Sequence, residues 1–274
     1  MNPSGVITIT TDFGHKGPFA AVMKGVILNR FPAARIVDLI HEIPPQWPPE
    51  AGFWVNLCYR YFPRGTVHLA IVDPGVGTGR DILVAEYDGH WFMAPDNGLL
   101  ARMLDTADAA QVFKLDAGAP ARLGIGTPSA TFHGRDIFAP VGAHLANGVA
   151  PTETGEQITD FVRLEPTAAI EESPGRWRGR ILHEDQFGNL VTSLPIEFLE
   201  KSPNHFRLTV GSLEIAQSAN SYAGAPPDQA FAIAGSSGYI EVSINQASAA
   251  ERAGVTTGAA VEWLEPETPS DSRL

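Results

Sequence analysis

The sequence predicts an α/β protein in two parts: an N-terminal α/β domain with a mostly parallel central sheet, and a smaller C-terminal domain formed as an antiparallel β-barrel or sandwich. Three features of the chain predict it. Over the first 150 residues, β-branched and apolar runs alternate with segments of helical periodicity. From Arg176 onward only short β-rich runs remain, parted by turn residues. The 274 residues suffice for two modest domains, and 27 glycines with 22 prolines supply tight turns between short elements.

Residues 6–10 are β-branched and run into Thr-Asp-Phe-Gly at 11–14, after which Phe19, Val22, Met23, Val26 and Ile27 recur on one helical face. Strand, turn and helix make a βα unit. Residues 35–40 read as a second strand, 51–62 as a helix behind a Pro-rich turn, and 66–72 as an almost wholly apolar strand of the kind buried in a parallel sheet. Runs 81–87 and 90–93 flank Asp88-Gly89, a strong hairpin signal. One helix follows Asn97-Gly98, and another spans 136–146 and closes on Asn147-Gly148. The first domain is thus expected over 1–150, with ligands at the carboxyl ends of its strands. Residues 151–175 lack periodicity and read as a connector. The β-rich domain spans 176–265, with strands near 178–183, 206–210, 230–234 and 239–244, and 266–274 reads as a polar tail.

Charge and composition exclude several functions. Lys and Arg total 19 against 31 Asp and Glu, a formal charge of −12 that argues against nucleic-acid binding through phosphate neutralisation. The single cysteine, Cys58, cannot form an intrachain disulfide and reads as a buried, inert thiol within an apolar run. No basic leader and no apolar window of membrane-spanning length is present, so the expected location is the cytoplasm, without a membrane partner.

Polar clusters stand where predicted strands end: Asp12 after the first, Asp73 after the third, Asp96 after the hairpin, and Phe132 to Asp136 before a helix. In an α/β sheet these converge on one rim. Each Asp alone is equally an Asx-turn or helix cap. Asp-Phe-Gly at 12–14 lacks every other kinase signature. The glycine-rich run 73–80 fits neither the dinucleotide nor the P-loop spacing, and is read as a loop of small bulk bracketed by Asp73 and Arg80. His133 has acidic and basic company, although a lone histidine is more often structural. The eight histidines lack a zinc-type spacing; Asp12, Asp73, His133 and Asp136 keep a hard-cation site open as an alternative. In the second domain, Phe187 and Asn189 form a purine-binding set with nearby strand backbone, or else Phe187 simply packs in the core.

Taken together, seven ordered blocks resemble the S-adenosyl-L-methionine (SAM) hydroxide adenosyltransferase family, the adenosine-forming SAM hydrolases related to fluorinase and chlorinase. They are Thr-Asp-Phe-Gly (11–14), His-Glu-Ile-Pro-Pro (41–45), Val-Asp-Pro-Gly-Val-Gly-Thr (72–78), Ala-Pro-Asp-Asn-Gly-Leu-Leu (94–100), Phe-His-Gly-Arg-Asp (132–136), Asp-Gln-Phe-Gly-Asn (185–189) and Ser-Ser-Gly-Tyr (236–239). The resemblance implies hydrolysis of SAM to adenosine and L-methionine without cofactor or metal, in a homotrimer whose sites lie between the N-domain of one subunit and the C-domain of its neighbour. It implies Asp12 for the ribose and Phe187, Asn189, Tyr222, Ile244 and Gln246 for adenine. Asp185, Ser236, Asp96 and Asn97 would border the methionine. Asp73, Arg80 and His133 would form the reacting centre, with either Asp73 or His133 as base, and Phe13, Gln46 and Gly134 would wall the pocket. The fluorinase has tyrosine where this chain has Asp73, serine where it has Gly134, and an aromatic near Gln46; Gly17 and Phe19 also replace its polar residues. Alternatives are a non-catalytic adenosine- or SAM-binding protein, a halide-using relative and a metal-dependent phosphohydrolase.

Overall fold

The structure is a computed structural model that describes residues 2–105, 109–164, 168–203 and 205–265. The expected tail over 266–274 lies outside the described residues. The chain divides into two compact units, residues 1–165 and 166–274.

The first unit runs β1 (Val6–Thr11), α1 (Phe19–Arg30), β2 (Arg35–Ile40), α2 (Pro48–Cys58), β3 (Val67–Ile71), β4 (Ile82–Tyr87), β5 (His90–Pro95), α3 (Ala101–Leu104), β6 (Gln111–Leu115), α4 (Ala119–Arg122), a π-helical turn (Gly134–Phe138), α5 (Ala139–Ala146) and β7 (Gly155–Ile158). Its sheet has the order β2-β1-β3-β5-β4-β6-β7. The first four neighbours are parallel, and β4, β6 and β7 extend the sheet by antiparallel pairing. β1, β3 and β5 are buried along their whole length, as apolar strands covered on both faces should be. The β4–β5 hairpin turns on Asp88 and Gly89, both at positive φ, the conformation that an Asp-Gly turn favours.

Local departures have physical reasons. Met23 and Ile27 are fully buried, whereas Phe19 and Val22 are 47% and 38% exposed, so only part of the apolar face of α1 enters the core. Phe19 instead packs edge-on against Phe13 and Phe132, with ring centroids 6.0 and 5.4 Å apart. α2 begins at Pro48 rather than at 51, because proline at the first helical positions sacrifices no hydrogen bond. Cys58 is half-buried rather than buried, and desolvation raises its thiol above the ordinary range. The segment 151–175, expected as a connector, carries β7, which pairs with β6.

The second unit contains β8 (Ile170–Ser173), β9 (Arg176–Glu184), β10 (Leu190–Pro195), α6 (Glu197–Lys201), β11 (Arg207–Val210), β12 (Leu213–Ile215), β13 (Ala230–Ala234), β14 (Tyr239–Ile244), α7 (Ala249–Ala253) and β15 (Ala260–Leu264). Every pairing between these strands is antiparallel, in the order β12-β11-β15-β9-β10-β14-β13, with β8 on β9. The end strands β12 and β13 approach each other, curling the sheet into a nearly closed barrel. Trp263, fully buried, stacks on Phe206 at 4.6 Å in its core.

Candidate active site

In the first unit, β1, β3 and β5 are successive parallel neighbours, with Thr11 in register with Ile71. Asp12, Asp73 and Asp96 therefore leave the sheet at one carboxyl rim, as the strand pattern predicts. Asp73 is the residue around which the loop 73–80 closes. The Val76 N–H donates to the Asp73 carbonyl at 3.3 Å, and Thr78 donates to the Gly75 carbonyl through its N–H at 3.1 Å and its hydroxyl at 2.7 Å. Gly77 sits at φ 77°, and a Cβ there would stand 2.2 Å from the Ala130 carbonyl oxygen, so this close approach requires glycine.

The loop returns Arg80 to Asp73. Arg80 Nε donates to both carboxylate oxygens at 3.0 Å, and Nη2 donates to Oδ2 as well. Their side chains are 11% and 6% exposed, so the pair is largely desolvated. Nη2 also lies 2.9 Å from Nδ1 of His133. A guanidinium can only donate, which makes Nδ1 the acceptor and leaves the ring hydrogen of neutral His133 on Nε2. Burial, then the Arg80 charge, lowers the His133 pKa below its ordinary value of 6.5, against the opposing pull of Asp73 and Asp136. The neutral form is thus favoured at neutral pH. A cavity of about 670 Å³ opens beside Thr78, Arg80 and His133.

Around this array, Asp12 Oδ2 accepts the Gln46 N–H at 3.0 Å. Gln46 holds a left-handed φ of 61°, an uncommon conformation for a residue with a side chain. Gly134 is packed so closely that a Cβ would meet Met23 Sδ at 3.1 Å, Phe132 at 3.2 Å and Phe13 at 3.3 Å. Asp96 accepts the Val162 N–H at 2.8 Å, and burial raises its pKa. Asn97 donates to the Val72 carbonyl at 2.8 Å and accepts from the Leu99 N–H at 3.3 Å, so its amide serves the local backbone. Asp136, weighed with Asp12, Asp73 and His133 as a cation site, instead pairs with Arg135 and Ser129. Among the described residues no three of His, Cys, Asp and Glu gather as metal ligands.

The second unit holds a cavity of about 520 Å³ lined by Asp185, Phe187, Asn189, Tyr222, Ile244 and Gln246, together with Asn245, Ala247 and Ser248. Asp185 builds it: Oδ1 accepts the N–H groups of Phe187 at 2.8 Å and Asn189 at 2.9 Å, and Oδ2 accepts Asn189 Nδ2 at 2.8 Å. Gly188, at φ 77°, lets this turn sit against Ser248; a Cβ would come 2.1 Å from its hydroxyl oxygen. Ser248 in turn caps α7 by accepting the Glu251 N–H at 3.0 Å. Phe187 and Tyr222 remain 68% and 47% exposed beside the cavity, so Phe187 is not a core residue. Tyr222 donates to Glu241 at 2.6 Å.

A model of the SAM hydroxide adenosyltransferase N-terminal domain matches residues 7–155, and one of the C-terminal domain matches residues 179–262. The chain belongs to the SAM hydroxide adenosyltransferase family. It is 36% identical over 259 residues to the (R)-S-adenosyl-L-methionine hydrolase of Thermus thermophilus, covering 93% of this chain and 97% of that protein. It is 34% identical to the protein of that name from Salinispora arenicola, over 92% and 95% of the two chains. The fluorinase of an Actinoplanes species is 28% identical over 73% of this chain and 75% of its own. A crystal structure of an uncharacterized conserved protein from Thermotoga maritima matches with a TM-score of 0.85 at 30% identity, over 94% of this chain and all of that one.

The SAM hydroxide adenosyltransferase pattern thus falls into two local clusters: Asp73, Arg80 and His133 in one unit, and Asp185, Phe187, Asn189, Tyr222, Ile244 and Gln246 in the other. Ser236 is exposed and does not line the second cavity. Sequence reasoning missed Ala247 and Ser248. A readable signal existed for Ser248, since Ser-Ala-Ala-Glu at 248–251 has the capping-box spacing. It also missed Ser129 as the partner of Asp136.

Proposed function

We propose that the protein hydrolyses SAM to adenosine and L-methionine by in-line attack of water or hydroxide at the ribose C5′. The observation that carries this reading is the partly buried Asp73–Arg80–His133 array in a chain that matches named SAM hydrolases over nearly its full length. The reaction balances without a cofactor. Water adds its oxygen to C5′ and releases a proton, while the C5′–S bond breaks and its electron pair converts the sulfonium to the neutral thioether of methionine.

Because the leaving group is neutral on departure, alignment of the nucleophile matters more than acid assistance. His133 Nδ1 is occupied by Arg80 and its other nitrogen carries the hydrogen, which supports Asp73 rather than His133 as proton acceptor. Arg80 holds that carboxylate in place by donating to both of its oxygens. Asp12, with Oδ2 on the Gln46 N–H, offers Oδ1 to the ribose diol. Phe187 and Tyr222 stack on adenine while Asn189 and the backbone near Ile244 and Gln246 meet its edge. Asp185, Ser236 and Asp96 are assigned to the methionine end, with Phe13, Gln46 and Gly134 as wall, while Asn97 holds the peptide before Asp73.

We further propose a homotrimer in which the half-site of one subunit's N-terminal domain meets that of its neighbour's C-terminal domain. Exposed apolar side chains beside both halves, Phe19 and Val22 on one and Phe187 and Tyr222 on the other, support burial against another copy. A cytoplasmic setting agrees with one unpaired thiol; no helix among the described residues is long and apolar enough to cross a membrane.

Incubation with SAM in the presence of a chelator, with chromatography of the products, tests the reading. Equimolar adenosine and methionine are expected. Saturable adenosine binding without turnover would make the protein a binding module, and activity abolished by the chelator would point to metal chemistry. Light scattering at assay concentration should report a trimer, and a fully active monomer would overturn the shared site.

A further inference from the structure

Next to the array lies a second polar cluster that takes no direct part in it. Asp136 Oδ2 accepts from the Ser129 N–H at 2.8 Å, the Ser129 hydroxyl at 2.6 Å and Arg135 Nη2 at 2.9 Å, while Oδ1 accepts from Arg135 Nε at 2.5 Å. The Arg135 bond, followed by the Ser129 bonds, holds this carboxyl well below the usual carboxylate range, so it stays an ionised acceptor. Asp136 belongs to the π-helical turn that begins immediately after His133, and Ser129 stands four residues before His133. The ends of this short loop are therefore clamped together with His133 inside it. The Phe132 carbonyl tightens the loop by accepting from the Arg135 and Asp136 N–H groups at 3.2 and 3.1 Å. Single π-turns of this kind recur at functional sites because they re-aim side chains.

The clamp bears on the ring through the loop. His133 Nδ1 accepts from Arg80, and the backbone that carries the ring lies between Ser129 and Asp136, which are bonded to each other. Opening that loop would let the ring turn away from Arg80 and remove one of the contacts that aim the guanidinium at Asp73.

We propose that Asp136, by holding Ser129 and so closing the 129–136 loop, is a positioning residue that fixes the orientation of His133 and thereby the aim of Arg80 at Asp73. This rests on the reaction proposed above. Asp136 touches neither the reacting atoms nor the Asp73 carboxylate, so its effect must pass through His133.

Steady-state kinetics on SAM with Asp136→Asn, Ser129→Ala, His133→Ala and the Asp136→Asn/His133→Ala pair test the proposal, with thermal melting of each. Asp136→Asn should lower kcat by roughly tenfold or more at nearly constant KM, because it acts on transition-state alignment rather than substrate binding. Ser129→Ala, which removes one of the four bonds to Asp136, should show a smaller loss in the same parameter, and it keeps the test available if Asp136→Asn folds poorly. In the His133→Ala background, Asp136→Asn should cost less than about a further threefold, since two residues acting through one contact are not additive. Losses that multiply, or that appear only in KM or melting temperature, would overturn the positioning role. A slow His133→Ala beside full-rate Asp136→Asn and Ser129→Ala overturns the clamp alone. A full-rate His133→Ala overturns the reacting array, and the clamp with it.

Discussion

The Asn97 side chain donates to the Val72 carbonyl at 2.8 Å, so the peptide that leads into Asp73 is held by a residue from beyond the neighbouring strand. Asn97→Asp keeps the size but removes the N–H donor and brings an acceptor toward a carbonyl. If the amide serves chiefly to place Asp73, kcat should fall roughly tenfold while KM for SAM hardly changes. A rise in KM at constant kcat would instead make Asn97 a contact of the methionine end, as the resemblance implies.

A pH prediction follows from His133. Its pKa lies below 6.5 because of burial first and the Arg80 charge second. The ring is then neutral through the neutral range and gains a proton only as pH falls below 6.5. That proton must occupy Nδ1, against Arg80. The kcat profile should stay level around neutrality and decline on the acid side with an apparent pKa below 6.5. An acid limb centred above that value would contradict the neutral acceptor role.

Stability should show a separate acid dependence from the sheet interior. Thr8 Oγ1 lies 2.8 Å from His68 Nδ1, and His68 Nε2 lies 3.2 Å from His90 Nδ1, all buried. Burial first, and the neighbouring His90, push His68 down to about 3. Between 6.5 and that value the unfolded chain binds a proton that the native chain refuses. The associated stability is complete above 6.5 and is lost as pH falls toward 3, at up to about 1.4 kcal/mol per pH unit. Denaturant midpoints should therefore drop between pH 7 and pH 4, and less steeply in His68→Gln. Equal slopes for the two proteins would place the acid sensitivity elsewhere.

Much of the frame was legible because each signal was local. The β-branched run before Asp12 and the Asp88-Gly89 turn specify their elements without distant partners. The strand-end placement of Asp12, Asp73 and Asp96 then follows from parallel pairing. β7 escaped because Gly155–Ile158 is a half-exposed edge strand that pairs with β6 alone among the described strands, so its sequence carries no apolar alternation. The exposure of Phe19 and Val22 was equally hidden, since periodicity reports an apolar stripe but not what covers it. In the site, the closeness of Arg80 to Asp73 was suggested by the small residues between them, whereas the tie from Arg80 to His133 spans 53 positions and depends on tertiary packing. Ser129, four residues before His133, carries no motif that marks it.

In the reaction proposed above, the choice of nucleophile rests on Asp73 and Gly134. A desolvated carboxylate repels halide, and Arg80 is already bound to that carboxylate, which leaves little positive potential for an anion. Wild-type protein in high chloride should therefore form adenosine and no 5′-chloro-5′-deoxyadenosine. Asp73→Asn is nearly isosteric but leaves the Arg80 charge buried without its partner, a loss of roughly 3–5 kcal/mol in stability for such pairs. Adenosine binding serves as the fold control. Hydrolysis should fall by roughly a hundredfold or more if the carboxylate takes the proton of the attacking water. The Gly134→Ser change toward the fluorinase residue should not by itself admit chloride, because its Cβ meets Met23, Phe132 and Phe13 at 3.1–3.3 Å and must first displace them. Near-normal turnover in Asp73→Asn, with adenosine still bound, would make the Asp73–Arg80–His133 array structural and move the reacting centre elsewhere on the rim.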